Sequence, residues 1–116
     1  MEETLPKSER LCGNTAVGAL FGRGKNGGAG CLSVRFLVRD DDAPSRIVVS
    51  VPKRQFKRAV KRNLLKRRIR ESYRRQKALL GPGKDIMFIY TASEVLPYET
   101  IYADMTAVLT QISARG

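Results

Sequence analysis

RIVVSVPKRQFKRAVKRNLLKRRIRESYRRQKALLGPGKDIMFIYT, residues 46–91, reads as a strand, a long helix and a second strand. From Arg46 to Val51, Ile47, Val49 and Val51 fall on one face, which is the period of a strand with one buried side. Pro52 ends that strand. Gln55 to Lys77 contains no Gly or Pro and is rich in good helix formers, so the spacing predicts a helix over 55–77. Gly81-Pro82-Gly83 breaks the chain. Asp85 to Thr91 alternates again, with Ile86, Phe88 and Tyr90 on one face and Met87 and Ile89 on the other. Strand, helix and strand in this order predict a βαβ unit within a small sheet, and so an α/β class.

Working outward, Cys31 to Arg39 alternates Leu32, Val34, Phe36 and Val38 against Ser33 and Arg35, a further strand. Asp40-Asp41-Asp42-Ala43-Pro44-Ser45 reads as a solvated turn, so the 31–39 and 46–51 strands are expected to form an antiparallel hairpin. The Asp run lacks the Gly and the spacing of a calcium loop. Asn26 to Gly30 reads as a flexible turn or loop. Before it, Asn14 is a candidate N-cap for a short helix carrying Val17, Leu20 and Phe21 on one face and ended by Gly22 and Gly24. Residues 1–12 read as an extended lead-in. Residues 97–113 read as a closing amphipathic helix, with Pro97 in its first turn and Ile101, Met105, Val108, Leu109 and Ile112 as its packing stripe. At 116 residues the chain fits a single domain, 1–116, with no internal repeat.

Charge is concentrated in one segment. Between Lys53 and Lys77 stand 13 Lys or Arg and one acid, Glu71, whereas the rest of the chain holds 9 basic and 10 acidic residues. A nearly neutral body carrying a +12 element suits a polyanion, whose counterions are released when Lys and Arg replace them. A merely solvated helix face mixes signs, and like charges at this density repel. A membrane-surface helix needs a broad apolar face to insert, whereas this one uses its apolar residues for packing.

Composition removes several classes of function. Without a single histidine, no Ser-His or Cys-His pair exists. Cys12 and Cys31 match no metal-ligand spacing and read as reduced structural thiols. The acids show no paired-carboxylate spacing, so hydrolysis near this chain is expected to be performed by something else. The apolar runs are far short of a membrane span, and the acidic start, Met1-Glu2-Glu3-Thr4-Leu5-Pro6, is no secretory signal. The expectation is a cytoplasmic protein with no membrane partner.

Along the basic helix, Phe56, Ala59 and Val60 group early, whereas Leu65, Ile69 and Tyr73 follow at i, i+4, i+8, so the buried line is expected to drift around the helix. Arg62, Lys66 and Arg70 repeat at the same spacing and project from one side, with Lys57, Lys61, Arg68 and Arg75 covering other exposed directions. Asn63, set among arginines, suits an adenine edge in DNA and equally an RNA ribose or phosphate. The residues alone leave RNA and DNA both open.

The stretch Ser50-Val51-Pro52-Lys53-Arg54, followed by Arg58-Ala59-Val60-Lys61-Arg62-Asn63-Leu64-Leu65-Lys66-Arg67-Arg68-Ile69-Arg70-Glu71-Ser72, resembles the protein subunit of bacterial ribonuclease P. Arg62 and Asn63 match the first two residues of that family's Arg-Asn-Arg signature. Lys66, Arg67, Arg70 and Glu71 match its continuation. Phe21-Gly22-Arg23-Gly24-Lys25 is similar to the close of the family's first helix, and Asp85-Ile86-Met87-Phe88-Ile89 to its last strand. The resemblance covers roughly residues 5–112. Two positions depart from it. Leu64 stands where the signature's second Arg is usual, with Arg68 one turn onward as a candidate replacement. Val17 stands where the first helix often has an aromatic.

The resemblance implies a two-layer α/β (α+β) sandwich of a small mixed sheet, with N- and C-terminal helices and a left-handed crossover through the basic helix, against the usual hand. It implies the protein component of a ribonucleoprotein endoribonuclease whose RNA subunit, with Mg2+, removes the 5′ leader of precursor tRNA. The implied partners are ribonuclease P RNA and precursor tRNA, with no stable protein partner. On this chain Arg54, Arg58, Arg62, Asn63, Lys66, Arg67 and Arg70 are the expected contacts to the catalytic RNA. Phe21 and Lys53 are the candidates for a leader cleft between the sheet and the basic helix, although Phe21 is equally a plain core residue. No catalytic or metal-ligating side chain is expected. The competing reading is a non-catalytic basic protein that binds rRNA or DNA.

Overall fold

The computed structural model describes residues 24–39 and 44–115. Four strands form one mixed sheet: β1 (Lys25–Ala29), β2 (Leu32–Val38), β3 (Arg46–Ser50) and β4 (Lys84–Tyr90), in the order β1-β2-β4-β3. Two helices, α1 (Ala59–Gln76) and α2 (Tyr98–Arg115), cover one face, and a 3-10 turn (Lys77–Leu79) follows α1. β3, α1 and β4 form the expected βαβ unit, with β3 parallel to β4 and adjacent to it.

The expected hairpin of the second and third strands does not form. β4 lies between them, antiparallel to β2 from Leu32↔Tyr90 to Val38↔Lys84. A local turn competes here with burial. Inserted centrally, the apolar Ile86, Phe88 and Tyr90 pair with Phe36, Val34 and Leu32 on one side, and Ile86 and Phe88 with Ile47 and Val49 on the other. Lying between two neighbours, β4 buries these side chains to 0 % exposure.

The Gly-rich stretch expected to be a loop is strand β1, paired with β2 from Lys25↔Phe36 to Ala29↔Leu32. Two side chains of α2 hold this hairpin. Gln111 accepts from Gly28 N–H at 3.2 Å and donates Nε2 to Gly28 O at 2.9 Å, which occupies the outer edge of the strand as a neighbouring strand would. Asp104 accepts from Cys31 N–H at 2.9 Å. Gly30 turns the hairpin at φ 57°, and a Cβ there would collide with the Asp104 carboxylate. Burial, and then Asp104, push the Cys31 thiol up to about 12.

Leu65, Ile69 and Tyr73 from α1 and Ile101, Met105, Val108, Leu109 and Ile112 from α2 meet the sheet in one continuous core. Tyr73 packs on Phe88 with ring centroids 5.9 Å apart. The buried line of α1 does not drift, because Ala59 and Val60 are exposed, Val60 at 78 %. Phe56 is buried, but from the turn ahead of the helix. Truncating a filled position such as Ile69 to Ala costs about 2–5 kcal/mol in transfer and cavity terms. Between the helices, Gln76 is buried, donates to Tyr102 O at 3.1 Å and accepts from the Thr106 hydroxyl. The opposite sheet face carries Ser33, Arg35, Val48, Ser50, Met87 and Ile89, all half-exposed.

Candidate nucleic-acid interface

The basic segment begins as a built turn. Gln55 N–H and Phe56 N–H both donate to Pro52 O at 3.3 Å. Phe56 inserts beside Tyr90, ring centroids 5.7 Å apart. That anchor leaves Lys53, Arg54 and Lys57 exposed at the end of the sheet where β3 and β4 finish. Helix α1 starts at Ala59, four residues later than the sequence predicts, because Arg58 is extended (φ −83°, ψ 125°). Arg62 stabilises this delayed start by donating Nη1 to Phe56 O at 2.7 Å and to Lys57 O at 2.9 Å. No side chain caps the first turn and it holds no acid, so its unpaired N–H groups add partial positive charge beside Arg58.

On α1 the buried residues are Leu65, Ile69, Ser72, Tyr73 and Gln76. By helical spacing the ridge Val60, Asn63, Arg67 lies opposite them. Arg54, Arg58, Asn63, Arg67 and Arg70 are exposed, and Arg62 and Lys66 half-exposed. The structure thus brings the predicted RNA contacts, together with Lys53, onto one continuous stretch of turn and helix. Lys53, Arg54, Lys57, Arg58, Lys61, Lys66 and Arg70 have no side-chain hydrogen bond or ion pair among the described residues. Seven of the thirteen cations therefore stand close together without a compensating acid, an arrangement poor for stability and well suited to phosphate. Lys57 and Lys61 belong to this set although the signature does not mark them. Their signal in the sequence is the charge density alone.

Other cations are committed within the fold. Arg68 donates Nη1 to Leu96 O at 2.6 Å and ties α1 to the loop before α2. In the same loop the Tyr90 hydroxyl donates to Glu94 O at 2.5 Å and accepts from Leu96 N–H at 3.2 Å. Arg68 is thus a structural anchor rather than an open replacement for the arginine that Leu64 lacks. Glu71 accepts from Arg74 (Nη2–Oε1 2.5 Å, Nε–Oε2 3.2 Å) and Arg75 (Nε–Oε1 2.9 Å). The Arg74 hydrogen bonds, followed by those of Arg75, hold the Glu71 carboxyl below its ordinary range.

Where α1 covers the sheet, the gap between them is packed. Leu65, Ile69 and Tyr73 fill that gap against Phe88. Lys53 lies at the margin, and Phe21 lies outside the described residues. Among the described residues no group of three His, Cys, Asp or Glu is placed to hold a metal ion. No helix among them is long and apolar enough to cross a membrane.

Comparison with known proteins places this geometry in a family. A family model described as Ribonuclease P matches residues 5–113. The ribonuclease P protein component of Porphyromonas gingivalis is 35 % identical over 118 residues, covering 94 % of this chain and 86 % of that protein. The one from a Picosynechococcus species is 32 % identical, covering 92 % of each. Among solved structures, the RNase P protein from Thermotoga maritima superposes with a TM-score of 0.79 at 29 % identity, covering 90 % of this chain and 97 % of that one. The Staphylococcus aureus RNase P protein shares the fold, with a TM-score of 0.78 at 24 % identity over 90 % and 95 % of the two chains. A mixed four-stranded α+β fold, an Arg62-Asn63 helix presenting unpaired cations and these matches lead to one assignment: the chain belongs to the family of ribonuclease P protein components.

Proposed function

We propose that this protein is the subunit that binds the catalytic RNA of ribonuclease P and the 5′ leader of precursor tRNA, and that it promotes endonucleolytic removal of that leader in the cytoplasm. The observation that carries the reading is the cluster Lys53, Arg54, Lys57, Arg58, Lys61, Lys66 and Arg70, cations without a side-chain partner among the described residues, on a fold whose family works in an endoribonuclease complex. Arg54, Arg58, Arg62, Lys66, Arg67 and Arg70 neutralise RNA phosphates, and the Asn63 amide bonds a ribose or phosphate oxygen. Lys53 takes the leader, with Phe21 offering a stacking ring. Bringing leader and catalytic RNA together opposes two polyanions, and these cations offset that repulsion.

Three of the described carboxylates already have partners within the fold. Asp85 is committed to Arg46 at 2.7 Å and to Arg39 at 3.1 Å, Glu71 to Arg74 and Arg75, and Asp104 to Cys31 N–H. In this reading the RNA subunit holds the Mg2+ ions that activate water for phosphodiester hydrolysis, as the family resemblance implies. The protein's share is positioning and charge.

Competition binding tests the reading. Labelled ribonuclease P RNA bound to the protein is challenged with unlabelled ribonuclease P RNA, an rRNA fragment or duplex DNA, and the complex is then titrated with precursor tRNA bearing a long leader and with mature tRNA. The expected order places the complex of ribonuclease P RNA with leader-bearing tRNA tightest. Equal or tighter binding of duplex DNA or rRNA at the same salt concentration would replace it with the reading of a general basic protein.

A further inference from the structure

Val60 is the most exposed large apolar side chain among the described residues, at 78 %, against 51 % for Leu79. One turn onward stands Leu64, half-exposed and outside the core. At i and i+4 on α1 the two are neighbours on the helix surface. A single exposed apolar residue is ordinary, but this pair stands in unusual company. Lys57 and Arg58 precede it, Lys61 follows Val60, and none of these three has a side-chain partner among the described residues. Asn63 and Arg67 are the i+3 neighbours of Val60 and Leu64. The fold gains little from Val60, because an exposed β-branched residue is a poorer helix former than Lys, Arg or Gln. A surface built for phosphate alone would carry one of those instead. A polyanion drawn onto these cations is brought against the apolar pair. Its phosphates gain nothing there, whereas the face of a base gains by leaving water against hydrocarbon. In a continuous duplex that face is covered by stacking, and only a base splayed from a loop or bulge offers it.

We propose that Val60 and Leu64 form an apolar contact for an unstacked base of ribonuclease P RNA, set among the cations that hold the neighbouring phosphates. This deepens the RNA-binding reading and rests on it. Phosphate contacts fix where the helix lies and are blind to sequence. The apolar pair separates an RNA with an unpaired base at that place from an equally charged duplex, so it is specificity-determining.

Val60→Gln tests this with two probes, ribonuclease P RNA and a fully paired RNA duplex. The substitution changes no charge and improves helix propensity, so the melting temperature holds or rises. Affinity for ribonuclease P RNA is expected to fall about tenfold at every salt concentration. The slope of log K against log salt stays at the wild-type value, because an apolar contact releases no counterion. Binding to the duplex does not change. Val60→Ile keeps the hydrocarbon surface and retains wild-type affinity, and adding Leu64→Gln to Val60→Gln deepens the loss on ribonuclease P RNA alone. Should Leu64→Gln lower the melting temperature, Val60→Gln by itself decides. Wild-type affinity of Val60→Gln for ribonuclease P RNA, or an equal loss on the duplex, overturns the proposal and leaves the RNA reading standing. Failure of the wild-type protein to bind ribonuclease P RNA overturns both.

Discussion

Replacing Arg58, Lys66 and Arg70 together with Gln removes three cations that stand unpaired on the turn and the helix. Gln keeps helix propensity close to that of Lys and Arg, and none of the three side chains holds another part of the fold. Each phosphate contact contributes about 0.7–0.9 to the slope of log K against log salt, so the triple variant should lose about 2–3 from that slope on ribonuclease P RNA. Between 1 M and 0.1 M salt the wild type then gains about 2–3 more powers of ten in affinity than the variant, or about 3–4 kcal/mol. Stability moves the other way or not at all. The Lys66–Arg70 pair is a like-charge i, i+4 contact that destabilises the helix by about 0.2–0.5 kcal/mol. Filter binding over a salt series, beside a thermal melt, reads both quantities. An unchanged slope with an unchanged melt would refute the assignment of these cations to RNA. A lower melting temperature would show that they serve the fold instead.

Arg62 and Arg68 separate charge from architecture. Arg62→Lys keeps the cation but loses the forked grip on Phe56 O and Lys57 O, so the slope should hold while stability falls by about 1 kcal/mol, about 4 °C in melting temperature; a fall in slope with no change in melting would reverse these roles. Arg68→Ala leaves Leu96 O without its donor and should cost about 1–2 kcal/mol with the salt slope unchanged, and a slope reduced by a full contact would restore Arg68 as the substitute for the arginine missing at position 64. Cys31, followed in a Cys12→Ser background, should resist alkylation at pH 8 until the protein unfolds. Its folded pKa, near 12, lies above the unfolded value near 9. The stability this thiol contributes is therefore complete below pH 9 and lost as pH rises toward 12, and a Cys31→Ala variant should show a flatter stability profile over that window.

The helices and three of the strands were legible because their signals are local. The stripe Ile101, Met105, Val108, Leu109, Ile112 and the trio Leu65, Ile69, Tyr73 are all buried. Strand β1 was not legible because nothing in Lys25-Asn26-Gly27-Gly28-Ala29 favours a strand. Its backbone is held by β2 and by Gln111, 83 residues away. The place of β4 between β2 and β3 is likewise a long-range choice made by burial, which no turn signal between residues 40 and 45 announces. Helix α1 begins late for a related reason. Phe56 is buried beside Tyr90 from a turn ahead of the helix, and Arg62 donates to the Phe56 and Lys57 carbonyls of that turn. At the candidate site, charge density marked the basic turn and helix, but it could not separate a waiting arginine from one already bound to a carbonyl, as Arg68 is to Leu96. Such partners are backbone atoms and carry no sequence signal.

The central claim is that this protein positions RNA for a reaction it does not itself perform. Cleavage of a long-leader precursor tRNA at low Mg2+ by ribonuclease P RNA from the same source, with and without the protein, tests it most directly. The account predicts strong stimulation, lost in the Arg58, Lys66, Arg70 triple variant and insensitive to removal of Cys31. No stimulation by a folded protein that binds the RNA tightly would contradict it.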